Sequence, residues 1–168
     1  MRALLLWITG RLPCRLITGD TRQPYLERYY VLGWPGLRVY LHRFVDDDSD
    51  RGRHDHPWSW ALSIILAGYY HEQRRDGMHI RRWVNWITGD TFHRVTLPRE
   101  GDIKRDVWTL FVHGPRVKAW GFARPLPTTP GAFDWQPYRY AGDDLCEEQQ
   151  WWINAPTGRE ARALRRPA

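Results

Sequence analysis

The chain has 168 residues, enough for one domain to bury a sizeable core without a disulfide or a metal to hold it together. Hydrophobic residues at 42%, charged residues at 26% and aromatics at 14%, including 11 Trp, exclude a disordered or fibrous chain. The formal net charge is +6, but residues 157–168 (TGREARALRRPA) carry +3 of it, which leaves the body of the chain too weakly basic to mark a nucleic-acid-binding face.

The first segment, MRALLLWITGRLPC, is too short for an export signal, is interrupted by Arg11 and lacks a small-residue cleavage site. It is expected to pack on the domain as a strand or short helix. No run approaches the roughly 18 apolar residues that cross a membrane. Cys14 and Cys146 form no disulfide framework and share no metal-ligand spacing, so reduced thiols in a cytoplasm are expected. Lys104 and Lys118 are the only lysines. The Arg excess reads as a compositional bias, because no basic cluster stands out along the chain.

Gly and Pro punctuate the chain at short intervals, and runs rich in Val, Ile, Tyr, Trp and Thr lie between them. Strands are expected at 27–32, 37–44, 59–66, 69–74, 79–86, 91–97, 107–112 and 116–122. Helix is expected only near the N-terminus and at 143–153 or 158–166, with 157–168 read as a loose basic tail after a single domain over 1–156. Asp46, Asp48 and Asp50 imitate the start of a calcium loop, but Gly52 and Pro57 fall at the wrong positions, so a solvated acidic loop is expected. About eight short strands with tight turns indicate an all-β sandwich or small barrel.

His54 and His56 are two apart, so on a strand they share a face. Imidazoles at that spacing, with a third from a distant strand, make a three-point metal site with open coordination positions. The third is His93 in GDTFHRVTL, whose strand face reads Thr91, His93, Val95, Leu97. An unbroken pleat would continue the first face through Trp58, Trp60, Leu62 and Ile64, although Pro57 interrupts the register. Trp58, Trp60 and Tyr70 are expected around the pocket. Arg94 would point away from the histidines unless a bulge re-aims it, and Asp55 falls on the opposite face, where a surface role is expected.

These residues resemble the first motif of the cupins, G-x5-H-x-H-x(3,4)-E-x6-G. His54, His56 and Gly68 match, while Asp48 stands at the opening Gly and Ala61 at the metal-binding Glu. The second motif is matched only at His93; Thr88, Asp90 and Leu97 replace its Pro, Gly and Asn. A longer resemblance over 24–122, carried by PYLERYYVL, LHRF, HDHPW, L-x-GYYHE, FHRV, WTLF and GP-x4-WGF, is to a small cupin-like family seen in phages and bacteria, to which no reaction is attached. The resemblance implies a cupin-like jelly-roll barrel (double-stranded β-helix) with short helical or irregular extensions at both ends. It also implies a divalent metal ion (Fe, Mn, Ni or Zn) on His54, His56 and His93, with Glu72 as a fallback fourth ligand. Some cupin dioxygenases, such as those acting on cysteine or diketones, resemble this in using three-histidine iron.

Three functions follow as expectations. The first is a mononuclear non-haem metal enzyme, dioxygenase-like or a related lyase or isomerase, acting on a small-molecule substrate. The second is a non-catalytic metal- or ligand-binding cupin, such as a phage-associated structural or accessory protein. The third, nucleic-acid binding, rests on net charge and Trp content alone. A small-molecule ligand is the expected partner, with a homodimer left open and neither membrane nor nucleic acid expected.

Overall fold

The computed structural model describes residues 1–19, 23–48, 52–129, 132–138 and 150–164. Helix α1 spans Arg2–Thr9 and helix α2 Gly158–Leu164. Between them lie β1 (Cys14–Thr18), β2 (Pro24–Trp34), β3 (Leu37–Phe44), β4 (Arg53–His54), β5 (Trp60–Ala67), β6 (Tyr70–Arg74) and β7 (Gly77–Arg81). They are followed by β8 (Val84–Thr88), β9 (Arg94–Thr96), β10 (Arg99–Glu100), β11 (Ile103–Lys104), β12 (Val107–His113), β13 (Gly121–Pro125) and β14 (Phe133–Pro137).

One layer is a six-stranded antiparallel sheet in the order β1-β2-β3-β12-β5-β8. The other consists of two three-stranded sheets, β14-β13-β4 and β7-β6-β9. A reciprocal pair of backbone hydrogen bonds between His54 and His93, each 2.9 Å, joins them into one layer. The crossovers between the layers make the expected jelly roll with short helical extensions.

Alternation explains how the six-stranded sheet is covered. One face presents Tyr29, Leu41 and Trp108, which pack with Cys14, Leu5 of α1 and Ala161 of α2. The other presents Tyr40, Phe111, Ala61 and Ile87 towards Trp58 and Trp151 inside the fold. Ile65 and Val107 meet Tyr70, Val95 and Leu97 from the second layer. Burial lifts the Cys14 thiol to about 12, so it is an inert core group.

Several expected boundaries move. The run 79–86 is two strands, because the chain turns at Arg82–Trp83 and passes from β7 in one layer to β8 in the other. Of 116–122 only the end enters β13. Before it, the amides of Val117 and Lys118 turn back onto the Pro57 carbonyl at 2.8 and 3.3 Å. The supposed loose tail is ordered as α2 over 158–164: Ala161 is buried, and Arg162 donates to the Tyr29 hydroxyl at 2.8 Å. Residues 151–153 form one 3-10 turn, while 143–149, Cys146, Asp50 and 165–168 lie outside the described residues. Among the described residues no helix is long and apolar enough to cross a membrane.

Candidate metal centre

The bridge that joins the halves of the second layer also sets two of the three histidines side by side. His54 ends β4, where it pairs with Phe122, and His93 precedes β9. His56 lies in the irregular segment after β4, and its amide is 3.3 Å from the Gly89 carbonyl. Gly89 is required there by space: a Cβ would stand 2.7 Å from the Trp58 carbonyl oxygen and 3.2 Å from that of His56. The Gly-Asp turn after β8 can therefore dock directly beneath the His56–Trp58 backbone.

The three imidazoles converge. Their ring centroids form a triangle with sides of 5.0, 4.9 and 4.9 Å, and one nitrogen from each lies within 4.8 Å of the others. This is the only such group of three or more His, Cys, Asp or Glu side chains among the described residues. The Nε2 atoms of His56 and His93 are 2.7 Å apart. Two imidazoles on one ion, at arms of about 2.0–2.1 Å, would hold their nitrogens roughly 3 Å apart, so the His56–His93 pair would admit an ion after a shift of a few tenths of an ångström.

Glu72 lies behind this cluster. It is fully buried on β6, and its Oε1 accepts from His93 Nδ1 at 2.6 Å. Asn85 donates to Oε1 at 2.8 Å, Arg81 to Oε2 at 2.6 Å, and Arg74 approaches at 2.9 Å. Burial alone would raise this carboxyl, but the hydrogen bonds from His93, Asn85 and Arg74 outweigh it and hold Glu72 well below the ordinary carboxylate range. Glu72, expected as a fallback fourth ligand, has its oxygens engaged with His93 and the arginines and is not part of the convergent group. A carboxylate is an acceptor only, so Nδ1 of His93 carries the proton and Nε2 presents its lone pair to the cluster. In a metal-free site the Nε2 atoms of His56 and His93 share one hydrogen bond. Burial, followed by the charges of His93 and His54, pushes the His56 pKa well below its ordinary value, so this ring is a neutral donor.

Asp48 and Asp55 were expected at the surface, and both are buried. Asp48 Oδ2 accepts the Val95 amide at 2.8 Å and stands 3.8 Å from His54 Nδ1. Burial lifts it to about 6 despite that hydrogen bond. Asp55 accepts the Gly121 amide at 2.6 Å and Lys118 Nζ at 2.9 Å, fixing the loop that leads into β13.

The cluster opens into a cavity of about 350 Å³ between the layers. Trp58 and Tyr70 line it; Trp58 stacks on His56 at 5.0 Å and on His113 at 4.2 Å. Trp60 and Arg94 are not among the lining residues. The pleat is broken between β4 and β5, and the inward phase resumes at Ala61, Ser63 and Ile65. Trp60 consequently faces outward, stacked on Trp86 at 5.3 Å. Arg94 points off the cavity, with Nη2 3.5 Å from the Asp48 carbonyl. Among the other histidines, His79 pairs with Asp76 at the surface, while His42 and His113 are buried in the aromatic wall opposite the cluster. Arg15, Arg28, Arg116, Trp120 and Tyr138 also line the cavity and were not singled out from the sequence. The available signal was the alternation of β2 and β3, which puts Arg28 and His42 on the inward face.

No protein-family model and no curated protein matches the chain. Solved structures do. The chain is similar to a cupin-2 domain protein of Rhodospirillum rubrum (TM-score 0.52, 10% identity), covering 70% of this chain and 77% of that one. It is also similar to a DMSP lyase of Ruegeria pomeroyi (TM-score 0.51, 14% identity, 66% and 60% covered) and to Fe(II)-HppE with alternative substrate (S)-1-HPP (TM-score 0.50, 14% identity, 62% and 57% covered). At such identities the likeness is one of fold, and the fold is cupin-like.

Proposed function

We propose that the chain is a mononuclear metal protein in which His54, His56 and His93 hold one divalent ion at the inner end of the cavity, and that it acts on a small molecule bound there. The observation that carries this reading is the convergence of three imidazole nitrogens, one of them oriented from behind by a buried carboxylate. A ligating histidine commonly has such a carboxylate behind it. Imidazole donors suit Fe, Mn, Ni or Zn. A bound ion would supply Lewis-acid or redox chemistry to a substrate on its open positions. The chain's own part is to fix the imidazoles, exclude water with Trp58, Phe111 and Ile87, and orient the substrate. Two similar folds, one a lyase and one an Fe(II) protein, are compatible with an enzyme.

A non-catalytic ligand binder is the second reading, favoured by Ala61. At the position where the resemblance implies a ligand, this chain has a methyl group buried in the core. Elemental analysis of natively purified protein beside His93→Ala decides the metal. About one equivalent in the first and a large loss in the second are expected, whereas equal content would refute the site. Turnover by the metal-loaded protein would then separate enzyme from binder.

A further inference from the structure

We propose that the cavity takes a small organic anion, whose carboxylate or phosphate group is held by Arg28 in a row of side chains facing the histidine cluster. The inference deepens the reading above, from which it takes the ligand's other end to lie at the metal. The row follows from strand register. Arg15 on β1 lies directly opposite Arg28 on β2, which lies directly opposite His42 on β3, and all three line the cavity. Two guanidinium groups from neighbouring strands thus come to one stretch of the cavity wall.

The surroundings favour the same ligand. Arg28 Nε donates to His42 Nε2 at 3.1 Å, and its guanidinium lies over Tyr40 at 5.2 Å, so its orientation is set and its terminal nitrogens remain as donors. Among the described residues no carboxylate forms an ion pair with Arg28. A third cation, Arg116, is bridged to Trp58 beside His56. Among the described residues lining the cavity the one acidic side chain, Asp48, is on the histidine side and accepts the Val95 amide. A planar guanidinium matches the two oxygens of a carboxylate or phosphate. The apolar floor of Phe111, Ile87 and Trp58 suits a short carbon chain between that group and the cluster.

Calorimetric titration of the full chain, both as purified and after metal removal, tests this with succinate, glycerol 3-phosphate and inorganic phosphate as probes and succinamide as the neutral control. At least one anion should bind and succinamide should not. Arg28→Gln should weaken the anion about 10- to 100-fold, as expected for loss of a charge-assisted hydrogen bond, with metal content unchanged. If circular dichroism shows that Arg28→Gln fails to fold, Arg15→Gln takes its place with the same expectation. Anion affinity equal in wild type and variant, succinamide bound as tightly as succinate, or no heat with any anion would each overturn the proposal. Metal content separates the two readings: a chain that never holds metal but loses anion binding in Arg28→Gln sinks the metal centre alone. A metal-loaded chain indifferent to the substitution sinks the arginine site alone.

Discussion

Replacing Glu72 by Gln keeps the shape of the side chain and removes its charge. Glu72 is fully buried and serves His93, Asn85, Arg81 and Arg74 together. The arginines have side chains only 22% and 23% exposed, so both would be left as largely buried cations facing a neutral amide. Removing one partner of a buried charge pair costs about 3–5 kcal/mol. The partial exposure of both arginines places the expected cost near the lower end, about 3 kcal/mol, or roughly 6–12 °C in Tm for a chain of this size. The second effect is local to His93. An amide can turn its NH2 towards Nδ1, which then no longer fixes the proton there, and His93 can present Nε2–H in place of a lone pair. Metal affinity should therefore fall about 10- to 100-fold, the usual effect of losing the group that orients a ligating histidine. Thermal unfolding followed by circular dichroism measures the first effect, and zinc or cobalt titration against a chromophoric chelator measures the second. A variant that melts early yet binds metal with wild-type affinity would show that Glu72 holds the fold and not the ligand, and would refute the reasoning.

The remaining predictions concern the frame around the site. His42 is buried, and burial, then the charges of Arg28 and His113, hold its pKa well below the ordinary 6.5. The unfolded chain therefore takes up this proton first. The contribution to stability is complete above about pH 6.5 and is lost as pH falls towards the depressed folded value, by up to about 1.4 kcal/mol per pH unit. Denaturant melts between pH 7.5 and 5.5 should show that slope, and His42→Gln should reduce it; an unchanged slope would count against a neutral buried His42. Gly89→Ala should cost about 1–3 kcal/mol by overpacking, since the new Cβ meets the Trp58 and His56 carbonyls. It should also lower metal affinity by displacing His56, and wild-type Tm and metal affinity together would contradict the close approach. Deleting residues 157–168 should lower Tm by several degrees, because Arg162 bonds the buried Tyr29 hydroxyl and Gly158 donates to the Leu12 carbonyl at 2.9 Å. An unchanged Tm would mean that α2 contributes nothing to the body of the fold.

What the sequence made legible is what alternation and spacing carry. The strands over 37–44, 69–74 and 107–112 read directly, because strand-length runs containing β-branched or aromatic residues lie there between turn signals. The face Thr91, His93, Val95, Leu97 was legible for the same reason, and His93, Val95 and Leu97 are indeed the buried set. Trp60 went astray because the reading carried one pleat through Pro57. Between β4 and β5 the chain leaves one layer for the other, and the phase restarts at Ala61 under the control of pairing with β12 and β8. No local pattern records that restart, since its cause is more than 20 residues away. Asp48 and Asp55 failed in the same way. Acidic residues in a polar loop read as solvated, and the amides of Val95 and Gly121 that bury them belong to distant segments.

Glu72 and the arginines change the reading of the site as well as its membership. In the cupin motif a carboxylate stands among the ligands; in this chain that position is a buried methyl at Ala61, and the nearest carboxylate supports His93 from behind. An ion held by three neutral imidazoles would keep its full double charge, with no ligand to offset it. Among the described residues the cavity lining adds Arg15, Arg28 and Arg116 on one side of the charge balance and Asp48 on the other. Register, which composition does not show, brings two of the arginines on β1 and β2 to one row on the inward wall. The proposed metal site, with neutral ligands only, would be complemented by a ligand that brings negative charge with it. For this reason the anion test and the metal test bear on one chemical design while remaining separately refutable.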